Sequence, residues 1–263
     1  MDLIRLFEGI NLQKEIIDKI IPIINEKENE FNQYIEELID LNTSYHVYEN
    51  VIKLYKNDLE ILALYLFACI KVYEKYKMIG ISDEIFFDTM KCFTRFIDEC
   101  YVKTKEYNFD RSWWTYRQIR MSEFRIGELE YELDFEENVI SIHIPSDANL
   151  NKNSIEKSLK SAKEFFTEFY PLCSNWDMVC DSWLLSPKLK LYLSKDSNIL
   201  LFQEYFNIVK FNENDYGFIE WLFKVNINHN YQSFKEDTSL QRKVKNALLN
   251  NEKIGCAFGY LKK

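Results

Sequence analysis

Between Asn138 and Phe206 the chain concentrates residue types suited to acid–base and anion chemistry. An apolar strand pattern, Val139-Ile140-Ser141-Ile142-His143-Ile144, stops at Pro145. A polar loop, Ser146 to Asn153, then opens an amphipathic helix that is expected to begin near Ser154. The first N–H groups of a helix lack internal partners and its dipole favours negative charge, so this strand, loop and helix start suits an anion such as a pyrophosphate. His143 alternates to the face opposite Ile142 and Ile144. An imidazole titrates close to neutral pH and can take a proton from an ammonium group. The competing reading is a partly buried histidine hydrogen-bonded within the sheet.

Upstream, Glu128, Glu130 and Glu132 alternate along a strand pattern from Phe124 to Leu133. Successive members on one face lie ~7 Å apart and could attract an amine, or simply form a solvated outer face. Downstream, Cys180-Asp181-Ser182-Trp183 sits in a second strand-like run from Met178 to Leu185. A cysteine nucleophile needs a stabilised thiolate, and Cys180 has no histidine partner in sequence, so a covalent role is disfavoured. Arg111 to Arg125 holds four of the chain's seven arginines among Trp113, Trp114, Tyr116 and Phe124. These could pair with phosphates or stack on an adenine, but a structural role is favoured.

The elements that must position these groups fall into two halves. From Leu12 to about Tyr107 the period is helical, with apolar stripes at Ile16/Ile20/Ile23/Ile24, Phe31 to Ile39, Val47 to Tyr55 and Leu62 to Tyr73. A fifth follows Ser82, which suits a helix N-cap, and Pro22 is expected to end or kink the first. These predict a helical bundle over residues 1–108. After Asn108 the pattern predicts strands to 144, helix 154–170, strand 178–185 and helix ~187–206. Strands at 207–212 and 218–226, a helix near Leu240–Leu249 and a terminal hairpin complete it. The fold class is α+β, a helical bundle followed over residues 109–263 by a mixed sheet flanked by helices.

Composition narrows the function classes. With 47% hydrophobic residues and only 6 Gly and 4 Pro, the chain reads as ordered and globular. The 17 Tyr and 20 Phe mostly supply core. Net charge is −9, with 13 Lys+Arg against 20 Asp+Glu before residue 109, which speaks against a nucleic-acid partner and for a cationic one. The most apolar run, Ile61 to Ile70, is half the ~20 residues of a membrane span, and the N-terminus has no signal-peptide pattern. Six cysteines without a Cys-x-x-Cys read as scattered buried thiols in a cytoplasmic protein without a structural metal.

The order of elements after Asn108 is similar to that of the GNAT superfamily of N-acyltransferases. More closely, five blocks resemble a bacterial family with a helical N-acyltransferase N-terminal domain before a GNAT-like C-terminal domain. They are Arg111-Ser-Trp-Trp-Thr-Tyr-Arg-Gln118, Phe124 to Leu133, His143-Ile-Pro-Ser146, Cys180-Asp-Ser-Trp-Leu-Leu-Ser-Pro187 and Ser197-Asn-Ile-Leu-Leu-Phe-Gln203. The resemblance implies acyl transfer from acyl-CoA, acetyl-CoA included, to a primary amine on a small molecule or peptide, by direct attack on the thioester. It places the pantetheine arm between strands 139–144 and 178–185, with the helical half selecting the acceptor. It implies coenzyme contacts from Ile144, Pro145, Ser146, Asn149, Ser154, Ser182, Trp183 and Asn198. His143 is the implied base, with Glu128 as a further candidate. Asp181 would grip substrate or orient His143, and Tyr205 would protonate the departing thiolate. The superfamily's glycine-rich acyl-CoA loop is replaced here by Pro145 to Asn151, in which Asp147 repels phosphate and Ser146 and Asn149 offer side-chain donors. The rival reading is therefore a protein of this shape that binds a ligand or partner without turnover.

Overall fold

The computed structural model describes residues 1–228 and 230–263, and the chain divides into compact units of Met1–Ile126 and Gly127–Lys263.

The first unit is helical: α1 (Leu3–Gly9), α2 (Lys14–Leu38), α3 (Ser44–Leu54), α4 (Asp58–Ile79), α5 (Asp83–Thr104) and α6 (Ser112–Ile119), closed by strand β1 (Glu123–Ile126). Helix α4 is buried or nearly so on every side from Ile61 to Cys69, because it carries the most apolar run of the chain. An all-round apolar helix belongs at a bundle's centre, and α1, α2, α5 and α6 pack on it. Asn57 caps its start by accepting from the Leu59 N–H, and Gly80 at φ 88° ends it in the left-handed conformation that glycine adopts without strain. Ser82 caps α5 as expected.

Two features of this unit differ from the sequence reading. The stripes at 16–24 and 31–39 form one helix, α2, which runs through Pro22. Proline removes the bond to the Asp18 carbonyl, but Pro22 is exposed while Ile16, Ile20 and Ile24 are buried, so water can reach that carbonyl. Helix α1 went unread because its apolar pattern is barely two turns long.

The second unit contains β2 (Leu129–Asp134), β3 (Val139–His143), α7 (Lys152–Phe169), β4 (Asp177–Ser182), α8 (Asn198–Gln203), β5 (Phe206–Asn212), α9 (Phe218–Phe223), α10 (Ser239–Leu249) and β6 (Cys256–Leu261). Its strands run in the order β2-β3-β4-β6-β5. All neighbours are antiparallel except β3 and β4, which are parallel and joined by the crossover through α7. The mixed α+β fold is as predicted.

Alternation explains the β2–β3 faces. Tyr131 pairs with Ile142 and Leu133 with Ile140, and all four are buried. Tyr131 packs its ring on Phe166 of α7 and hydrogen-bonds Ser158 at 2.9 Å. The opposite face carries Glu130, Glu132, Ser141 and His143. Asp134 shapes the hairpin by accepting from the Glu136 and Glu137 N–H groups.

Several boundaries differ from the sequence reading. The run 124–133 is broken at Gly127-Glu128, where Gly127 takes φ +64° and a Cβ would sit 3.2 Å from Ser158. Segment 218–226, predicted as a strand, holds helix α9 over Phe218–Phe223, since Phe218, Ile219 and Phe223 bury against Val244, Ala247 and Leu248 of α10. The helix predicted over ~187–206 is a 3-10 turn at Pro187–Leu191 followed by the short α8.

Candidate active site

The central feature is where two parallel strands stop pairing. β3 and β4 pair at Val139/Asp177, Ile140/Met178 and Ser141/Val179. Beyond that rung β3 runs on to His143, and β4 runs on to Ser182 while its other edge pairs with β6. The β3–β4 register thus ends in mid-sheet, short of the ends of both strands, and strand edges that leave a ladder expose N–H and C=O groups that an amide-bearing group can meet.

Glu130 lies directly across from His143 and Glu132 lies across from Ser141. The His143 Nε2 reaches diagonally to Glu132 Oε2 at 3.0 Å, the two side chains being 23% and 14% exposed. Glu130 is buried as well, so this face is not the solvated row that an acidic ladder suggests. Glu128 lies outside β2, in the turn after Gly127, and its Oε2 accepts from the Asn149 N–H at 2.8 Å. The three-glutamate strand ladder is therefore a pair, Glu130 and Glu132, with Glu128 redirected to the loop after β3.

That loop leads into α7. Ile144 is half-buried, Pro145 is buried, and the Pro145 carbonyl accepts from the Ala148 N–H, which leaves Ser146 at an exposed turn. Asn149 Oδ1 accepts from the Asn151 N–H. Asn151 in turn caps α7 by accepting from the Ser154 N–H at 2.9 Å and donates Nδ2 to Ser154 Oγ. The helix therefore starts at Lys152, earlier than expected, and its capping residue is Asn151. Ser154 sits in its first turn, and Asn149 is exposed.

On β4, Cys180 is fully buried and burial pushes its thiol well above the ordinary value, which removes it as a nucleophile. The exposed Asp181 accepts from the Cys256 thiol on β6 at 3.1 Å. The carboxylate bonded to His143 is thus Glu132 and not Asp181. Ser182 ends the strand, its Oγ accepting from the Leu184 N–H. Trp183 packs towards Phe218. Gln203 donates to the carbonyls of Leu184 and Ser186, and Ser186 Oγ donates to the Ile254 carbonyl. Neither Gln203 nor Ser186 stood out in the sequence as a clamp on the segment after β4. None of the six cysteines lies in a disulfide, and five of them are buried.

Residues 1–121 match the N-acyltransferase N-terminal domain and residues 88–261 match the GNAT-like C-terminal domain. The chain belongs to the GNAT-like acyltransferase family. Solved structures share the fold. An acyltransferase in complex with decanoyl-CoA is 22% identical over 76% of this chain and 65% of its own, with TM-score 0.70. An acyltransferase in complex with decanoyl-CoA and teicoplanin is 18% identical over 98% of this chain and 86% of its own, with TM-score 0.80. A third, in complex with CoA and 10C-teicoplanin, is 16% identical over 100% of this chain and 99% of its own, with TM-score 0.73. The chain thus spans just under two thirds of the length of the first of these. No curated protein matches.

Within a GNAT-like frame, the remaining positions divide clearly. Asn198 opens α8 and is exposed, with Ser197 capping the helix. Phe202 on the same helix is completely buried. Tyr205 is half-buried and donates to Glu156 Oε1 at 3.2 Å. Burial and then the Glu156 charge raise its phenol above the ordinary value, which keeps it protonated. Among the arginines of 111–125, Arg117 and Arg120 have partners within the first unit. Arg117 lies 4.3 Å over Trp114, Trp114 Nε1 donates to Glu123 Oε1, and Arg120 donates to Ser122 Oγ. No helix among the described residues is long and apolar enough to cross a membrane.

Proposed function

We propose that this chain transfers an acyl group from an acyl-coenzyme A to a primary amine by direct attack on the thioester. The observation that carries this reading is the loss of β3–β4 pairing beyond Ser141/Val179 while both strands continue. In a GNAT-like fold, that gap suits a pantetheine arm, whose amides can replace the missing ladder bonds. The likeness to acyltransferases holding decanoyl-CoA and teicoplanin supports a medium-chain donor and an amine-bearing acceptor.

The assigned roles are as follows. The end of β3 with Ile144 and Pro145 would border the thioester, across from Ser182 and Trp183. The start of α7, with Ser146, Asn149 and Ser154, would take the pyrophosphate, and Asn198 would touch the pantetheine arm. His143 would remove a proton from the ammonium form of the acceptor. The neutral amine nitrogen then bonds the carbonyl carbon, the C–S bond breaks, sulfur leaves as a thiolate that takes a proton from Tyr205 or water, and the acylated nitrogen gives its remaining extra proton to water to leave the neutral amide. Asp181 is assigned to the acceptor side, with Glu128 shaping the loop. The donor site is assigned to residues 109–263.

A second reading is a GNAT-shaped binding protein without turnover. It is favoured by the glycine-free loop, in which Asp147 and the Glu128 carboxylate add negative charge close to the proposed phosphate site. Incubation with acetyl-, octanoyl- and decanoyl-CoA against a panel of amines, with free thiol measured, separates the two. Amine-dependent thiol release supports transfer, whereas CoA binding without release would sink it and leave the second reading.

A further inference from the structure

The strand registers of the second unit line up a row of side chains across the sheet face that carries His143. Directly paired residues share a face, and so do residues two apart along a strand. Ser141 pairs with Val179, so His143 and Asp181, each two residues further on, stand on one face on either side of the opened β3–β4 ladder. Asp181 pairs with Phe258 on β6, and Phe258 pairs with Lys210 on β5. Burial agrees with this placement. On β6, Ala257 and Gly259 are buried, whereas Phe258 is half-buried and Tyr260 is 39% exposed. The Phe258 and Tyr260 rings meet edge to face, with centroids 5.4 Å apart and planes at 86°. Asp181 is exposed, and its Oδ1 accepts from the Cys256 thiol at 3.1 Å. Burial and then that hydrogen bond hold the thiol above its ordinary value, so Cys256 is the donor and Asp181 the carboxylate.

We propose that the acceptor is a primary amine carrying an aromatic ring a few bonds from its nitrogen, with its ammonium beside Asp181 and its ring against Phe258 and Tyr260. This rests on the acyl-transfer reading above and names the substrate class of that same site. Charge orients the amine in the row. Asp181 at the β4 end is acidic and Asp215 adds negative charge beside Cys256, whereas Lys210 on β5 is basic and exposed. A cationic nitrogen is therefore drawn to the β4 end, the end nearer to His143 and the opened ladder. A carboxylate offers about four lone-pair sites, so one thiol bond leaves Asp181 able to accept from an ammonium. Neighbouring strands lie ~4.8 Å apart, and a two-carbon link between nitrogen and ring matches that spacing, which sets the ring over Phe258 on the next strand. A third ring there extends the edge-to-face arrangement that Phe258 and Tyr260 already make, and the faces of both rings attract the adjoining cation. An aliphatic amine of equal length keeps the Asp181 contact and forfeits the ring contacts.

The test uses the full chain and compares phenethylamine with hexylamine as acceptors, following thiol release from decanoyl-CoA. Phenethylamine should give a kcat/KM about fivefold or more above that of hexylamine, the scale of aromatic and cation–ring contacts. In the double variant Phe258→Leu with Tyr260→Leu that ratio should fall to about one, with KM for decanoyl-CoA unmoved. Asp181→Asn should raise KM for both amines about tenfold, as expected for a hydrogen bond to a charged group. A wild type that does not prefer phenethylamine, a preference that survives the double variant, or Asp181→Asn with unchanged KM for both amines would overturn the assignment. Absence of thiol release with every acyl-CoA and amine would remove the acyl-transfer reading. Calorimetric titration of the two amines then decides the ring site: tighter binding of phenethylamine that the double variant abolishes supports it, and equal or absent binding overturns it. Should the double variant fail to fold, Tyr260→Leu alone is held to the same two readouts, with a smaller loss of preference expected and an unchanged preference overturning the assignment.

Discussion

Replacing His143 with alanine separates catalysis from architecture most clearly. A general base contributes ~100- to 10,000-fold, or about 3–5 kcal/mol of barrier at ~1.4 kcal/mol per factor of ten. The structural cost is smaller. The ring makes a 3.0 Å hydrogen bond to Glu132, whose side chain is 14% exposed. Removing the ring takes one hydrogen bond from that carboxylate, at a cost of about 1–3 kcal/mol, less where water enters the space. The variant should therefore remain folded by circular dichroism, melt lower, and lose at least ~100-fold in kcat. KM for decanoyl-CoA should change little, because the ring is assigned to the amine and not to the coenzyme. Steady-state thiol release with whichever acyl-CoA and amine of the panel give the fastest wild-type turnover measures both constants. A folded His143→Ala protein with near wild-type kcat would refute the base assignment and return the histidine to a cross-strand hydrogen-bonding role.

Other expectations concern the frame around the site. Asn151→Ala removes the cap of α7 and should lower stability by about 1 kcal/mol, measured by urea unfolding, since the Ser154 N–H loses its acceptor; an unchanged midpoint would show that water replaces the cap. Cys180→Ala should keep turnover, because the buried thiol stays protonated; its loss in a folded variant would reinstate a cysteine step. Gly255→Ala should destabilise by ~2 kcal/mol or more, because φ is +71° and a Cβ would meet the Asn212 carbonyl oxygen at 2.5 Å. A thermal scan that shows no loss would mean β5 can move away.

What could be read from the sequence follows the physics of period. Alternation put Ile140 and Ile142 on one face of β3 and Ser141 and His143 on the other, and the register agrees. Helical stripes located α3, α4, α5, α7 and α10 because each buries one long face or is apolar throughout. Phe218 to Phe223 misled because aromatic and β-branched residues read as strand, whereas burial against α10 decides for a helix. Gly127 hid a turn inside an alternating run, since the same alternation resumes after it. The Glu132–His143 contact depends on a diagonal across the register, and no single-strand pattern encodes a diagonal. The open end of the β3–β4 ladder came from family resemblance, because strand pairing between distant segments leaves no local mark.

The most direct measurement is a crystal structure of the chain soaked with decanoyl-CoA. The account predicts the pantetheine arm between β3 and β4 beyond Ser141 and Val179, the thioester beside His143, and the pyrophosphate at the start of α7. Coenzyme density elsewhere on the chain, with the strands beyond that rung left empty, would contradict it.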